Sequence, residues 1–161
     1  MKKKIYLHLS GGLGNQLFQY AAAKQISIRN NAQLILDKKT GFVTDLRFKR
    51  KFCLNYFNLK NVVFSKTYFF YFFWIFKKIF FLKKLFYFFF SKKIIDEFYS
   101  FDRYHVKIKN ISFDKNLFMM GLFQSEKYFN DDKKFILNEI FPPSPKNKKF
   151  FNESKELDHN S

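Results

Sequence analysis

Residues 5–16 read Ile-Tyr-Leu-His-Leu-Ser-Gly-Gly-Leu-Gly-Asn-Gln, a short apolar run followed by three glycines in four positions. A run of this length before a glycine turn is typical of a buried strand, and it is too short for a signal-peptide core of about 7–15 residues. Glycines let a backbone turn tightly and approach a ligand closely. We therefore predict a first strand that ends in a ligand-binding turn.

A helix and a second strand are predicted after this turn. Apolar side chains recur at helical spacing over 15–30, and Asn30-Asn31 interrupt the pattern before the strand-like run Gln33-Leu-Ile-Leu-Asp37. A strand, turn, helix and strand within 40 residues form a βαβ unit with two parallel strands. The residues predicted to line the buried face of the helix, or to lie beside it, are Leu17, Phe18, Tyr20, Ala21, Ala22 and Ile28.

The glycine spacing alone is compatible with more than one kind of turn. Gly12 and Gly14 begin the dinucleotide-binding pattern, and Asp37 lies near the place of its ribose-binding acid, but Leu17 stands where the third glycine belongs. The Gly-Lys-Ser/Thr ending of a nucleoside-triphosphate loop is absent. At this level, a nicotinamide-binding turn and a purely structural turn both remain open.

Composition limits the functional classes. The 161 residues predict one domain, and 27 Phe argue against wholesale disorder. Only 4 of the 30 basic residues are Arg, so the net charge of +17 is a weak argument for nucleic-acid binding and we predict none. A single cysteine, Cys53, and three dispersed histidines predict a reducing compartment and no metal site.

The middle of the chain is rich in Phe and Lys. Residues 67–90 contain 15 aromatic side chains, and the longest uncharged run, 67–76, is too short to span a bilayer. We predict a basic helical insertion at about 66–95 that packs on the domain. The alternative is a helix lying on an anionic membrane surface, which would make the chain a peripheral membrane-binding protein without catalysis.

A third strand and a helix are predicted near the end of the domain. Leu117–Phe123 has strand character, Ser125 is placed to cap the following helix, and Pro142-Pro143 terminate it. We predict one domain over 1–143, followed by a polar tail over 144–161. The side chains predicted to form the buried face of this helix are Tyr128, Phe129, Phe135, Ile136 and Ile140.

Two strings resemble a known family. Gly11-Gly-Leu-Gly-Asn-Gln-Leu-Phe-Gln-Tyr-Ala-Ala-Ala-Lys24 is similar to the N-terminal signature of the bacterial α-1,2-fucosyltransferases of glycosyltransferase family 11. Gly121-Leu-Phe-Gln-Ser-Glu-Lys-Tyr-Phe129 resembles a second block of that family, with Leu122 where an aromatic residue is usual. The stretch 50–57 is similar to a third.

The resemblance implies a truncated GT-B-like enzyme whose N-terminal Rossmann-like domain is present. It implies GDP-fucose as donor, the 2-hydroxyl of a galactose-terminated glycan as acceptor, and no metal or other cofactor. Such an enzyme would act in lipopolysaccharide or capsule synthesis, in the cytoplasm or peripherally on the inner face of the membrane. The substrate-binding residues that we predict are Gly12, Gly14, Asn15, Gln16, Gln124 and Ser125.

Helix capping competes with substrate binding as the role of Asn15 and of Ser125. The family's His-x-Arg-Arg-x-Asp motif is absent, since the sequence has no adjacent arginines. Its second Arg is the expected clamp on the departing diphosphate, so the catalytic residues are unknown. We expect these 161 residues alone to show no measurable transfer.

Overall fold

The core of the protein is a parallel β-sheet. The computed structural model describes residues 2–65, 94–97 and 111–141. Within them, five strands lie in the order β3-β2-β1-β5-β4, and every neighbouring pair is parallel. Their bounds are β1 Lys4–His8, β2 Gln33–Asp37, β3 Val62–Phe64, β4 Ile94–Asp96 and β5 Asn116–Met120.

Three α-helices accompany the sheet in the described residues: α1 Leu13–Arg29, α2 Thr40–Val43 and α3 Lys133–Ile140. Short 3₁₀ turns lie at Leu54–Tyr56, Glu126–Tyr128 and Asn130–Asp132. No helix in the described ranges is long and apolar enough to cross a membrane. The architecture is α/β and compatible with a Rossmann-like domain, while the GT-B assignment stays a prediction.

The predicted βαβ unit is confirmed. Strand β1 pairs with β2 in register from Lys4 opposite Gln33 to His8 opposite Asp37. The connection includes α1, which ends where Asn31 adopts a left-handed backbone with φ of 47°. Asparagine tolerates this conformation better than most residues, which explains why the helix stops here.

Alternating side chains of the central strands form the core. Ile5 and Leu7 of β1 are fully buried, whereas Tyr6 between them is half-buried and stacks on Phe118 of β5, with ring centroids 5.1 Å apart. Two predicted core positions are wrong, because Ile28 is 39% exposed and Phe135 is 53% exposed. The fully buried or nearly buried side chains that join this core include Leu34, Leu36, Tyr20, Ala22, Leu117, Met119 and Ile136.

A buried polar cluster joins α1 to α3. The Tyr20 hydroxyl donates a hydrogen bond to Glu139, and the Lys24 ammonium lies 3.0 Å from the same carboxylate oxygen. Lys24 also donates to the carbonyl of Lys60 at 2.8 Å. Because charged groups are costly to bury without partners, this pairing is what allows α3 to pack against α1.

The second half of the domain differs in detail from its prediction. Strand β5 ends at Met120 instead of continuing to Phe123, and 3₁₀ turns precede α3 where one helix was expected. The predicted insertion lies outside the described residues over 66–93, but its last residues, Ile94 and Ile95, are buried in β4. The predicted tail over 144–161 also lies outside the described residues.

Candidate functional site

Strands β1 and β5 lie side by side at the centre of the sheet, although they are more than 100 positions apart in sequence. From β1 the chain proceeds outward to β2 and β3, then crosses to β4 at the opposite edge and returns to β5 beside β1. In open α/β sheets, ligands bind in the crevice beyond the carboxyl ends of the strands. Two loops leave the sheet there, at 9–12 after β1 and at 121–125 after β5, and we name them the glycine loop and the Gln124 loop.

The glycine loop leads directly into α1. Gly11 has a φ of 77°, and a side chain on it would approach the Asn15 amide nitrogen to 2.5 Å. Added Cβ atoms on Gly12 and Gly14, in contrast, would meet nothing within 4 Å. The first backbone N–H groups of a helix point outward at its N-terminus, so these two glycines leave the approach to them open.

The structure excludes one of the two roles considered for Asn15. The N-cap of α1 is Gly12, so Asn15 lies inside the first turn and the capping alternative is wrong. Its side-chain oxygen instead accepts a hydrogen bond from the Gln124 Nε2, at 2.6 Å across 109 positions of sequence. The two predicted site residues are therefore brought together, although contact with substrate stays a prediction.

Gln16 has a different environment from its neighbour. Its side chain is fully buried, and its Nε2 donates to the carbonyls of Gly11 and Lys51, both at 2.9 Å. Its Oε1 accepts from the backbone N–H of Cys53 at 2.9 Å. Gln16 thus ties the glycine loop to 51–53, and the contact with substrate predicted for it stays a prediction.

Sequence reasoning missed Gln19, which supports the other side of the glycine loop. Its Oε1 accepts from the Ser10 backbone N–H at 3.0 Å, and its Nε2 donates to the Ser10 hydroxyl at 3.3 Å. Gln19 is fully buried on a helix whose neighbouring positions are apolar. The signal in the sequence is that Gln16, Gln19 and Gln25 stand among the apolar residues of the predicted helix, since a polar side chain that becomes buried there needs hydrogen-bond partners.

The Gln124 loop is an irregular turn. Gly121 and Phe123 have φ values of 154° and 51°, and the Phe123 ring is fully buried. The Ser125 hydroxyl accepts from the backbone N–H of Lys127 at 3.3 Å, so Ser125 does act as a cap, but of a 3₁₀ turn and not of the helix that was predicted. Gln124 itself is exposed, so the loop presents its amide on the surface.

Asp37 does not lie free beside this site. Its carboxylate is buried and accepts from the backbone N–H groups of Lys39 and Thr40 at 2.9 and 3.0 Å, and from the Thr40 hydroxyl at 2.5 Å. The acid that a dinucleotide site would use for a ribose is therefore occupied in holding the turn from β2 to α2. This finding weighs against the nicotinamide alternative.

Neither the glycine loop nor the Gln124 loop contains a charged residue. In the 3₁₀ turn after the Gln124 loop, Glu126 accepts a hydrogen bond at 2.6 Å from Lys133, the first residue of α3. This contact lowers the pKa of the Glu126 carboxyl. Burial raises the pKa of the Cys53 thiol beside Gln16. Across the described parts of the chain, no group of three or more His, Cys, Asp or Glu side chains could hold a metal ion. Hydrogen-bonding amides and open backbone therefore dominate the candidate site.

Comparison with known proteins points to one activity class. An alpha-1,2-colitosyltransferase of Escherichia coli is 30% identical to this chain over 140 residues, which cover 86% of the chain and 45% of the relative. The chain thus spans less than half the length of the relative that it matches. No protein-family model and no solved structure matches it. The similarity supports a relationship to glycosyltransferases, enzymes that use an activated sugar donor and a glycan acceptor.

Proposed function

We propose that this chain forms part of an α-1,2-fucosyltransferase that transfers fucose from GDP-fucose to the 2-hydroxyl of a galactose acceptor in surface-glycan synthesis. The observation that carries the proposal is the hydrogen bond between Asn15 and Gln124 beyond the carboxyl ends of β1 and β5. It joins the two strings that resemble family 11 at the place where α/β folds bind ligands. The proposed location is the cytoplasm, or the inner face of the membrane.

The glycine loop is proposed to lie against the donor diphosphate. Transfer with inversion displaces GDP, so negative charge grows on the departing diphosphate and must be stabilised. The N-terminus of α1 offers backbone N–H groups and the positive end of the helix dipole. Gly12 and Gly14 leave this end uncovered, because added side chains there would meet nothing within 4 Å.

The Asn15 amide is oriented for donation. Since its Oδ1 accepts from Gln124, its Nδ2 is the group left to donate to a phosphate or to fucose. Gln124 and Ser125 are proposed to line the acceptor side of the same crevice. No metal or other cofactor is proposed, and the cation that clamps the diphosphate is assigned to an arginine outside these 161 residues.

The donor sugar has a second candidate, colitose. The observation that favours it is the name of the relative, a colitosyltransferase. Colitose is fucose without its 3-hydroxyl, so one pocket could accept either sugar unless a buried polar group is built to bind that hydroxyl. Peripheral membrane binding without catalysis is less favoured, because the similarity to a glycosyltransferase extends over most of the chain.

Titration of the 161-residue chain with GDP-fucose, GDP-colitose and GDP-mannose tests the proposal. We expect GDP-fucose to bind with the highest affinity, without transfer to a galactose-terminated acceptor when products are followed by mass spectrometry. Asn15→Ala should weaken binding by about 1.5–3 kcal/mol, the contribution of a hydrogen bond to a charged group, and leave the melting temperature unchanged. Glu126→Gln, which changes an exposed side chain on the next turn, is the control.

Three results would each contradict part of the proposal. Equal binding of all three sugar nucleotides, or of none, would reject a fucosyltransferase donor site. Preference for GDP-colitose would replace fucose by colitose as the donor sugar. Unchanged affinity in Asn15→Ala would remove Asn15 from the site, and repeated turnover by this chain would show that the clamping arginine is dispensable.

A further inference from the structure

Glu97 follows β4 directly and contacts both the Gln124 loop and the 3₁₀ turn after it. One carboxylate oxygen, Oε2, accepts the backbone N–H of Phe123. The other, Oε1, accepts the Tyr128 hydroxyl at 2.6 Å. A single half-buried side chain therefore holds both ends of the segment that carries Gln124.

Two features of the loop make this contact specific. A side chain on Gly121 would place its Cβ 2.4 Å from the Cβ of Glu97, so only glycine admits the glutamate so close. Phe123 adopts a left-handed backbone, with a φ of 51°, which is unfavourable for a bulky residue and persists only when its surroundings impose it. The carboxylate of Glu97 accepts the N–H of that residue and thereby supports the strained conformation.

We propose that Glu97 is a positioning residue that sets the orientation of Gln124, and through it the Asn15 amide, for donor binding. The chain of contacts runs from Glu97 to Phe123, to the adjacent Gln124, and on to Asn15. Both carboxylate oxygens of Glu97 are engaged, one by Phe123 in the Gln124 loop and one by Tyr128 in the next turn, so Glu97 acts through Gln124 and not on substrate. The inference rests on the proposed function for its effect on affinity, but not for its effect on the loop.

The test follows the side-chain amide signals of Asn15 and Gln124 by NMR, together with the affinity for GDP-fucose. In Glu97→Ala we expect both amide signals to shift and affinity to fall roughly tenfold or more, the loss expected for a charge-assisted hydrogen bond. Glu97→Gln can still accept from Phe123 and donate to Tyr128, so it should restore most of both. Glu126→Gln also removes one negative charge, in the 3₁₀ turn that follows the Gln124 loop, and it should change neither the amide signals nor the affinity for GDP-fucose.

Each alternative outcome has a defined meaning. Amide signals that stay unchanged in Glu97→Ala overturn the inference, as does a loss in Glu97→Gln as large as that in Glu97→Ala. If Glu97→Ala does not fold, Glu97→Asp shortens the side chain by one methylene and withdraws the carboxylate from the Phe123 N–H, and unshifted signals there overturn the inference equally. If the unaltered chain binds no GDP-fucose, the donor proposal fails, while the amide signals still test the positioning role.

Discussion

Gly14 and Gly41 differ in the space that their missing side chains leave. A Cβ on Gly14 would point into open space, whereas one on Gly41 would lie 2.1 Å from the carbonyl oxygen of Leu9 and 2.6 Å from the His8 ring. Gly41 is thus required for the close approach of α2 to the end of β1. Gly14 has no such packing role, and its open face is needed only if a ligand approaches there.

Substitution by alanine should separate the two roles. We expect Gly14→Ala to stabilise the fold by up to about 1 kcal/mol, because alanine favours the helix, and yet to weaken GDP-fucose binding. Gly41→Ala should destabilise the fold by about 1–3 kcal/mol through overpacking. Urea unfolding and donor titration measure the two effects, and unimpaired binding in Gly14→Ala would remove the first turn of α1 from the donor site.

The role of individual amides could be predicted only in part. Gln16 and Gln124 both belong to the recognised strings and were both predicted to bind substrate, yet one is fully buried with three hydrogen bonds and the other is exposed. The difference arises from 51–53, which pack against Gln16 from a distant part of the chain. No local pattern in the sequence carries that information.

At the scale of elements, the cluster of Tyr20, Lys24 and Glu139 determines how α3 packs on α1. Burial raises the pKa of Tyr20 well above its ordinary value of 10.0, and the adjacent Glu139 carboxylate adds to the shift. The folded protein therefore retains the tyrosine proton at a pH where the unfolded chain releases it. Stability from this group is complete below about pH 10 and is lost as the pH rises above it.

Tyr20→Phe tests this linkage. In the unaltered chain, the free energy of unfolding should fall by up to about 1.4 kcal/mol per pH unit above pH 10, owing to Tyr20 alone. The variant should lack this contribution, and the two proteins should show parallel pH dependence between pH 7 and 9. Urea unfolding across pH 7–11 measures both slopes, and equal slopes above pH 10 would contradict the buried, protonated tyrosine.

The accuracy of the predicted elements follows their length and regularity. β1, α1 and β2 were predicted correctly because five-residue apolar strands flank a helix of 17 residues. β3 and β4 were missed, since each has three residues and depends on neighbouring strands for its hydrogen bonds. β5 ends early because the backbone at Gly121 and Phe123 leaves the extended conformation, at the point where Glu97 accepts the Phe123 N–H.

At the scale of the whole molecule, the parallel sheet brings together the two sequence strings that resemble family 11, one after β1 and one after β5, at the carboxyl ends of these central strands. The sequence predicted each string on its own, as a turn after a strand, but not that β5 lies beside β1. Strand order depends on contacts between residues more than 100 positions apart, which periodicity does not reveal. The Asn15–Gln124 contact is the consequence of that order, and the proposed donor site depends on it.

The central claim is that the loops after β1 and β5 bind the sugar nucleotide, and NMR titration of the backbone amides with GDP-fucose tests it most directly. The account predicts that the largest shifts occur at Gly11–Asn15 and at Gln124, with small shifts at the opposite end of the sheet. A polar groove lies at that opposite end, lined in part by Asn31, Gln33 and Asn61, and provides an internal reference. Shifts confined to that groove, or no shifts at all, would contradict the account.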